Sequence, residues 1–402
     1  MTGGSFLVKL RCSRCGTDHD ADIVQTVCRK CAGTLFSYYD TEAAKARLKK
    51  DQVARRPASM WRYKEMLPVR DERNVITLGE GMTPITPTDR TGAELGVPNL
   101  LVKDDGVMPT GTFKARGQST AISRAKELGI KKVALASAGN AGAAAATYAA
   151  RAGLKCFVFM PKDAPDSVKK ECSEMGADLR LVDGLISDAG RYVRDGQREF
   201  GWFDLSTLRE PYRVEGKKTM GYEIAEQLGW ELPDAIVYPT GGGTGLIGMW
   251  KAFREMEELG WLGSKRPRMV AVQSEGCAPV VKAFAEGKDS VDEPWAGART
   301  IADGLRVPFP YASEQALKVV RESGGTAVAV KDDDILGCMR ELARNEGLFV
   351  CPEGAATLAG LKLLVEQGEV EKDERVLLYN TGSGLKYLGL VDAPSLGAPP
   401  WQ

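Results

Sequence analysis

The chain has 402 residues, 43% of them hydrophobic, with 54 basic and 54 acidic side chains. Its length asks for two or more lobes, its balanced charge excludes a nucleic-acid binder working through a broad basic field, and no apolar run reaches the ~18 residues of a membrane span. The opening residues lack the layout of a signal peptide, and nine cysteines, five of them isolated, fit a cytoplasmic protein better than a disulfide framework.

The first motif is Cys12-x-x-Cys15 followed by Cys28-x-x-Cys31. Two thiolate pairs at this spacing close around one tetrahedral metal, so Cys12, Cys15, Cys28 and Cys31 are read as ligands of a structural zinc ribbon. The alternation at Phe6, Val8 and Leu10, and again at Leu35 and Phe36, predicts short flanking strands. Four ordinary buried thiols are the bland alternative. A redox Cys-x-x-Cys belongs at the start of a helix after a buried strand, which neither pair is. The only histidine, His19, lies inside this segment and reads as a surface residue of the knuckle. Ser-His-Asp and Cys-His catalysis are thereby excluded from the body of the chain. Proton transfer there must use Lys, Asp, Glu, Tyr, Cys or a cofactor. Residues 40–75 read as a charged, partly helical arm, broken at Pro57 and Pro68.

The body begins at Leu78-Gly79-Glu80-Gly81-Met82-Thr83-Pro84-Ile85, a turn able to approach a ligand closely. A strand at Asn99–Val102 leads into Pro109–Gly117, where Lys114 opens a helical pattern carried by Ala121, Ile122, Ala125 and Leu128. A lysine at such a place is by base rate solvated; the alternative is a held amine. From Lys131 a strand–helix alternation begins, with strands at Val133–Ala136, Cys156–Met160 and Leu179–Val182. It predicts a parallel sheet flanked by helices. Ligands bind such sheets at the carboxyl ends of strands, where Ser137-Ala138-Gly139-Asn140 stands; simple helix capping is the bland reading of these residues.

The strand Ala235–Thr240 feeds Gly241-Gly242-Gly243-Thr244-Gly245 and a helix. A strand, a glycine-rich turn and a helix N-terminus make an anion site, because free N–H groups converge where the dipole favours negative charge. Residues 243, 245 and 248 also satisfy G-x-G-x-x-G, so a nicotinamide oxidoreductase is a rival on this motif alone. That fingerprint is weak, and it sits after several βα units instead of opening the first. Further on, Asp332–Glu346 reads as a helix and Val376–Asn380 as the last strand. Thr381-Gly382-Ser383-Gly384 follows, and the tail from Asp392 is rich in Pro and Gly.

In this order the lines LGEGMTPI (78–85), KDDGVMPTGTFKARG (103–117), SAGNAGAAAATYAARAG (137–153), PYRVEGKKTMGYEI (211–224), PTGGGTG (239–245) and NTGSGLKY (380–387) resemble the threonine synthases. These are pyridoxal-phosphate enzymes of the tryptophan synthase β-subunit fold class. The paired cysteines look like the zinc-ribbon extension of some members. The resemblance implies an α/β, two-lobed, parallel-sheet fold with an N-terminal zinc-ribbon knuckle. Its parts would be the knuckle at 1–39, an arm at 40–75, a large lobe from 76–117 and 211–391, a small βα lobe at 118–210 and a tail at 392–402.

The same resemblance implies a carbon–oxygen lyase that converts O-phospho-L-homoserine and water to L-threonine and phosphate, by γ-elimination and β-addition of water. Lys114 would be the Schiff-base lysine and proton shuttle. Gly241, Gly242, Gly243, Thr244 and Gly245 would hold the cofactor phosphate, Asn140 the ring hydroxyl, and Thr381 would face the pyridine nitrogen. Arg213, with Ser137 and Thr83 as further candidates, would bind the substrate. A small-molecule amino-acid substrate, a structural zinc and a homodimer are expected, with neither nucleic acid nor membrane as partner. Two departures favour a threonine/serine dehydratase-type ammonia-lyase on the same fold as the alternative. Ala115 stands where the family usually has Asp, and Ser206–Glu210 lacks an expected Asn-Ser pair.

Overall fold

Three antiparallel strands open the chain: β1 (Leu7–Cys12), β2 (Asp18–Asp20) and β3 (Leu35–Tyr39), in the order β2-β1-β3. The computed structural model describes residues 4–184 and 186–391, and the expected tail at 392–402 lies outside them. The expected strands form, with Leu7, Leu10 and Leu35 buried. Val8, which the Phe6–Val8–Leu10 alternation would turn inward with them, is exposed, because a register shift between Leu7 and Lys9 breaks the period of two. The arm carries α1 (Thr41–Arg47), capped by Asp40, and α2 (Lys50–Ala54). Two 3₁₀ turns follow, at Met60–Met66 and Glu72–Asn74. Its charges are not merely solvated, since Arg62 reaches Glu226 at 2.8 Å from a buried position.

Next come β4 (Ile85–Pro87), α3 (Asp89–Leu95), β5 (Leu100–Asp104) and α4 (Lys114–Glu127). A second sheet unit is inserted here. It contains β6 (Lys132–Ala136), α5 (Asn140–Ala152), β7 (Lys155–Pro161), α6 (Asp166–Glu174), β8 (Asp178–Val182), α7 (Ile186–Phe200) and β9 (Phe203–Asp204). Its strands are parallel, in the order β8-β7-β6-β9. The chain then returns through α8 (Arg213–Gln227), β10 (Ala235–Pro239), α9 (Thr244–Glu258), β11 (Arg268–Ser274), α10 (Pro279–Ala285), α11 (Ser313–Glu322), β12 (Ala327–Val330), α12 (Asp332–Glu346), α13 (Pro352–Glu366) and β13 (Val376–Asn380). These complete a six-stranded sheet of order β12-β11-β10-β13-β5-β4.

All pairings in the large sheet are parallel except β4 with β5. The sequence pattern at 78–85 shows only a turn, because the three residues of β4 are too few for a period-2 signal. β9, at two residues, is hidden for the same reason. By contrast β10 and β13 are buried along their whole lengths, as continuous apolar runs covered by helices on both faces. One large apolar cluster lies on one face of the large sheet and extends through the inserted unit to the knuckle. A second lies between the other face and α12 and α13. No described helix is long and apolar enough to cross a membrane.

Helix α8 is the main surprise of the fold. It is rich in Lys and Glu, yet almost every residue is buried. Its charges are neutralised by other elements. Lys218 and Lys251 lie between Glu215 and Glu255. Glu223 pairs with Arg116 and with Lys103 at 2.9 Å, and Arg116 reaches Asp105 at 2.8 Å. Charges buried in this way are tolerated because each has a partner. Gly216 makes the close approach of α8 to α4 possible, since a Cβ there would collide with the Arg116 carbonyl.

Candidate active site

Three neighbouring parallel strands of the large sheet, β5, β13 and β10, end at one place. The chain beyond β5 leads to Lys114, the end of β13 is Asn380-Thr381, and β10 runs into Gly241–Gly245. Backbone bonds join two of these ends. Phe113 N donates to the Thr381 carbonyl at 2.9 Å, and Ser383 N to the Gly111 carbonyl at 2.9 Å. A third bond brings in the start of α13, from Cys351 N to the Gly382 carbonyl at 2.9 Å. Across from them β6 of the inserted unit ends at Ser137–Asn140.

Lys114 is the first residue of α4, and no side chain caps the helix before it. A cation there opposes the helix dipole. The residue is half-buried, and its amine is brought down to about 8, first by burial and then by the positive charge of Arg213. Glu353 and Cys351 pull in the other direction. Lys217 adds a second buried amine, also displaced downward by burial and by Lys114 and Arg213. Both amines lie against the Phe113 ring, at 4.5 Å for Lys114 and 3.8 Å for Lys217, and Lys217 donates to the Phe113 carbonyl. Sequence reasoning passed over Lys217, although its spacing of four from Arg213 puts both on one face of α8.

Arg213 is buried, and its guanidinium donates to the Leu205 carbonyl at 2.6 Å and the Thr207 hydroxyl at 3.3 Å. The nearby carboxylate of Glu210 is spent on the backbone N–H groups of Tyr212 and Arg213. Burial pushes Glu210 up to about 7. Arg213 Nε has no protein partner. Arg213 and two amines biased toward their neutral forms thus stand together, the hydrogen bonds of Arg213 and Lys217 go to neutral oxygens, and an anion bound here would stabilise the charged form of all three.

The Gly241–Gly245 turn is shaped for one. Gly243 has φ +76°, which suits a residue without a Cβ, and α9 starts immediately after it. Ile247 is the first residue to close a helical bond, onto Gly243 at 3.0 Å. The amides ahead of it in α9 are the orphan donors of a helix start. A side chain at Gly245 would collide with the Tyr238 hydroxyl.

Asn140, the first residue of α5, donates its side-chain amide to the Tyr387 hydroxyl at 3.0 Å. Tyr387 in turn donates to Glu353 Oε1 at 2.8 Å, which also receives the Gly304 amide at 2.7 Å. The other oxygen of Glu353 is buried and has no partner in the protein. Thr381 is buried, with its hydroxyl 3.6 Å from Cys351 Sγ. Ser137 and Thr83 have different surroundings. The Ser137 hydroxyl accepts from the amides of Gly139 and Gly142 at 3.2 and 2.9 Å, capping α5 from outside. Thr83 sits inside the buried charge network, donating to Asp105 at 2.7 Å. Glu353, Cys351 and Tyr387 are site residues that sequence reasoning did not single out. The available signal was Pro352 at the start of α13, followed by an acidic residue in the first helical turn.

The residues fit a pyridoxal phosphate. There is an amine biased toward its neutral form, a glycine turn with free amides for a phosphate, and buried unpartnered polar atoms on Arg213 and Glu353. At the other end of the chain, the four sulfurs of Cys12, Cys15, Cys28 and Cys31 lie within 4.8 Å of one another. Cys12 and Cys31 are 3.4 Å apart and Cys15 and Cys28 3.7 Å apart. A tetrahedral zinc with Zn–S bonds of ~2.3 Å needs sulfurs about 3.8 Å apart, so this donor set fits the metal with small adjustments. His19 Nε2 stands 3.3 Å from Cys28 Sγ, beside the cluster.

Comparison with known proteins agrees with this geometry. The family model for pyridoxal-phosphate dependent enzymes matches residues 76–382. The threonine synthase of Methanocaldococcus jannaschii is 38% identical over 379 residues, covering 94% of this chain and 92% of that protein. That of Methanosarcina acetivorans is 39% identical over the same shares, and that of Halalkalibacterium halodurans 37% identical over 82% of this chain and 90% of its own. Among solved structures, maize serine racemase superposes with a TM-score of 0.68 at 24% identity, covering 83% of this chain and 96% of that one. The processed form of threonine deaminase isoform 2 from Solanum lycopersicum superposes at 0.65 with 20% identity, over 77% of this chain and 82% of its own. These two likenesses concern the fold.

Proposed function

The chain belongs to the pyridoxal-phosphate-dependent enzymes and, within them, to the threonine synthases, and on that premise we propose that it converts O-phospho-L-homoserine and water to L-threonine and phosphate, with Lys114 as the amine that carries the cofactor. The observation that supports this best is the cluster of two amines and a guanidinium, Lys114, Lys217 and Arg213, beside a helix-start anion site. It provides for two phosphates, one on the cofactor and one on the substrate.

When bound, pyridoxal phosphate supplies an electron sink for charge that develops at the substrate's α- and β-carbons. The chain's residues do the rest. The amides of Gly241, Gly242, Gly243, Thr244 and Gly245 hold the cofactor phosphate. Asn140 orients the ring at its hydroxyl, and Thr381 offers a neutral hydroxyl to the ring nitrogen. The Lys114 amine would take the proton from Cα and move protons at Cβ, and it is neutral enough near pH 8 to act as a base. Arg213 grips the substrate phosphate with a planar, charge-assisted fork and keeps it placed as the leaving group.

We read the six-stranded and four-stranded sheets as the cores of a large and a small lobe, with the site between them. Lys386 reaches Glu171 of α6 at 2.5 Å and Tyr387 meets Asn140 of α5. These ties hold the inserted unit over the site and keep water out until the addition step. Cys12, Cys15, Cys28 and Cys31 hold a structural zinc in a site with no open position. A cytoplasmic homodimer completes the reading.

The test is product analysis. Purified holoenzyme given phosphohomoserine should release phosphate and threonine in equal amounts. Faster formation of 2-oxobutyrate from threonine than of threonine from phosphohomoserine would instead establish the ammonia-lyase alternative.

A further inference from the structure

The loop after the second cysteine pair runs Ala32-Gly33-Thr34, and it faces the body of the enzyme. Gly33 leaves no room for a side chain, because a Cβ there would stand 2.9 Å from Cys12 Sγ and 3.3 Å from Cys31 Sγ. The loop therefore wraps tightly around the sulfurs and takes its shape from them. Ala32 is held at φ +56°, and its carbonyl accepts from the Tyr311 hydroxyl. Thr34 is buried, and its hydroxyl donates to the Leu208 carbonyl at 3.0 Å.

Leu208 is itself in the left-handed region, at φ +58°. A non-glycine residue there costs on the order of 1 kcal/mol and persists only where surrounding contacts enforce it. The residue before it, Thr207, accepts from Arg213 Nη1 at 3.3 Å and lays its methyl group over Gly242, 3.1 Å from where a Cβ would stand. On the other side, Arg209 packs its guanidinium on the Tyr311 ring at 4.6 Å. Segment 205–210 is thus clasped between the knuckle loop and the anion-binding residues. One hydrogen bond, Thr34 to Leu208, ties the strained residue of that segment to the loop shaped by the cysteines.

We propose that Thr34 is a positioning residue for the phosphate grip: the metal-bound knuckle sets Leu208, which sets Thr207, which orients Arg213 toward the substrate phosphate. This rests on the reading of Arg213 as the phosphate ligand. A knuckle that only adds stability would leave phosphate affinity untouched when the Thr34 bond is cut.

The experiment compares holoenzyme with Thr34→Val, which keeps the shape and removes the hydroxyl, and with Thr34→Ser, which restores it. Three quantities are read: zinc content, the KM and kcat for phosphohomoserine, and the Kd of inorganic phosphate by calorimetry with the cofactor in place. In Thr34→Val we expect full zinc content, kcat within about twofold, and both KM and phosphate Kd raised about five- to tenfold, the size of one lost hydrogen bond. Thr34→Ser should return both to the parent values. Removing zinc from the parent with a chelator should weaken phosphate in the same direction while the visible cofactor band stays. Should valine not be tolerated, Tyr311→Phe cuts the second tie and is read in the same assays. Unchanged KM and phosphate Kd in the zinc-replete variants would overturn the proposal. Arg213→Met separates the two readings. If it weakens phosphate while Thr34→Val does not, only the coupling is lost; if neither does, the phosphate assignment falls as well.

Discussion

Asn140 and Tyr387 meet at 3.0 Å although 247 positions separate them in the chain. Asn140 starts the first helix after β6, and Tyr387 belongs to the segment that follows the last strand of the large sheet. Tyr387 passes the contact on to Glu353, so one line of hydrogen bonds runs from the inserted unit to the start of α13.

The first prediction concerns that line. Tyr387→Phe leaves the Asn140 amide without its partner and Glu353 with one donor fewer. We expect pyridoxal phosphate to bind about three- to tenfold more weakly, the size of one lost hydrogen bond, and kcat to fall by a similar factor. Cofactor titration followed by its visible band, together with steady-state rates, measures both.

Lys114 carries the second prediction. Lys114→Ala should eliminate turnover and the visible band, while circular dichroism stays that of the parent. The protein without cofactor offers a stability test. The folded-state amine sits at about 8, below the ~10.4 of an unfolded lysine. Between these values the unfolded chain binds more protons than the folded one, so stability rises with pH across that window. Below about 8 the buried charge is a standing cost. Lys114→Met should therefore stabilise the cofactor-free protein at pH 7, by about 1–3 kcal/mol, with the gain shrinking toward pH 10. Urea melts at pH 7, 8, 9 and 10 give the curve.

A third prediction follows from the charges under α8. Burial favours the neutral form of Glu223, but Arg116 and Lys103 outweigh it and hold the carboxylate down to about 2. A depressed carboxylate contributes stability that is present above its unfolded value of ~4.3 and lost as pH falls toward 2, about 3 kcal/mol in all. Arg116→Met removes the dominant partner and leaves Asp105 and Glu223 buried with only Lys103 between them. The loss at pH 7 should be about 3–5 kcal/mol. Thermal unfolding from pH 7 to pH 3 should then show a markedly shallower acid decline in the variant than in the parent.

The knuckle gives the fourth. Metal analysis of protein purified without chelators should find one zinc per chain. Cys28→Ser should lower that content at least tenfold and soften the knuckle, since metal binding is coupled to the folding of such small units. The release is read by a colorimetric zinc indicator during denaturation.

The parts of this protein legible from sequence are those whose physics is local. Four cysteines at fixed spacing, a glycine turn after an apolar strand, the periodic run at Asp332–Glu346 and the continuous apolar run at Val376–Asn380 declare themselves within a few residues. Helix α8 does not. Its lysines and glutamates look like a solvated face, and only the tertiary structure supplies Glu255, Lys251, Lys103 and Arg116 to neutralise them. Glu353 and Lys217 were missed for a related reason: their significance lies in what surrounds Lys114, and the local signals, Pro352 before Glu353 and the spacing of four from Arg213 to Lys217, are common in helices that bind nothing. Short strands such as β4 and β9 are invisible because two or three residues cannot show a period. Ser137, by contrast, has the capping bonds that its residue type suggests from sequence.

The order of the large sheet bears on how the enzyme is made. β13, the last strand among the described residues, lies between β5 and β10 and pairs with both. A ribosome must therefore deliver the chain as far as Asn380 before the two halves of this sheet can be joined. Until then β5 and β10 present unpaired, largely apolar edges, the kind of surface that recruits chaperones or aggregates. The inserted four-stranded unit has no such debt, since all its strands are contiguous between Lys132 and Asp204. It is free to fold while translation continues. A nascent chain stalled before Val376 should thus carry a folded small sheet and an open large one, with the lysine-bearing helix present but no cleft for it to serve.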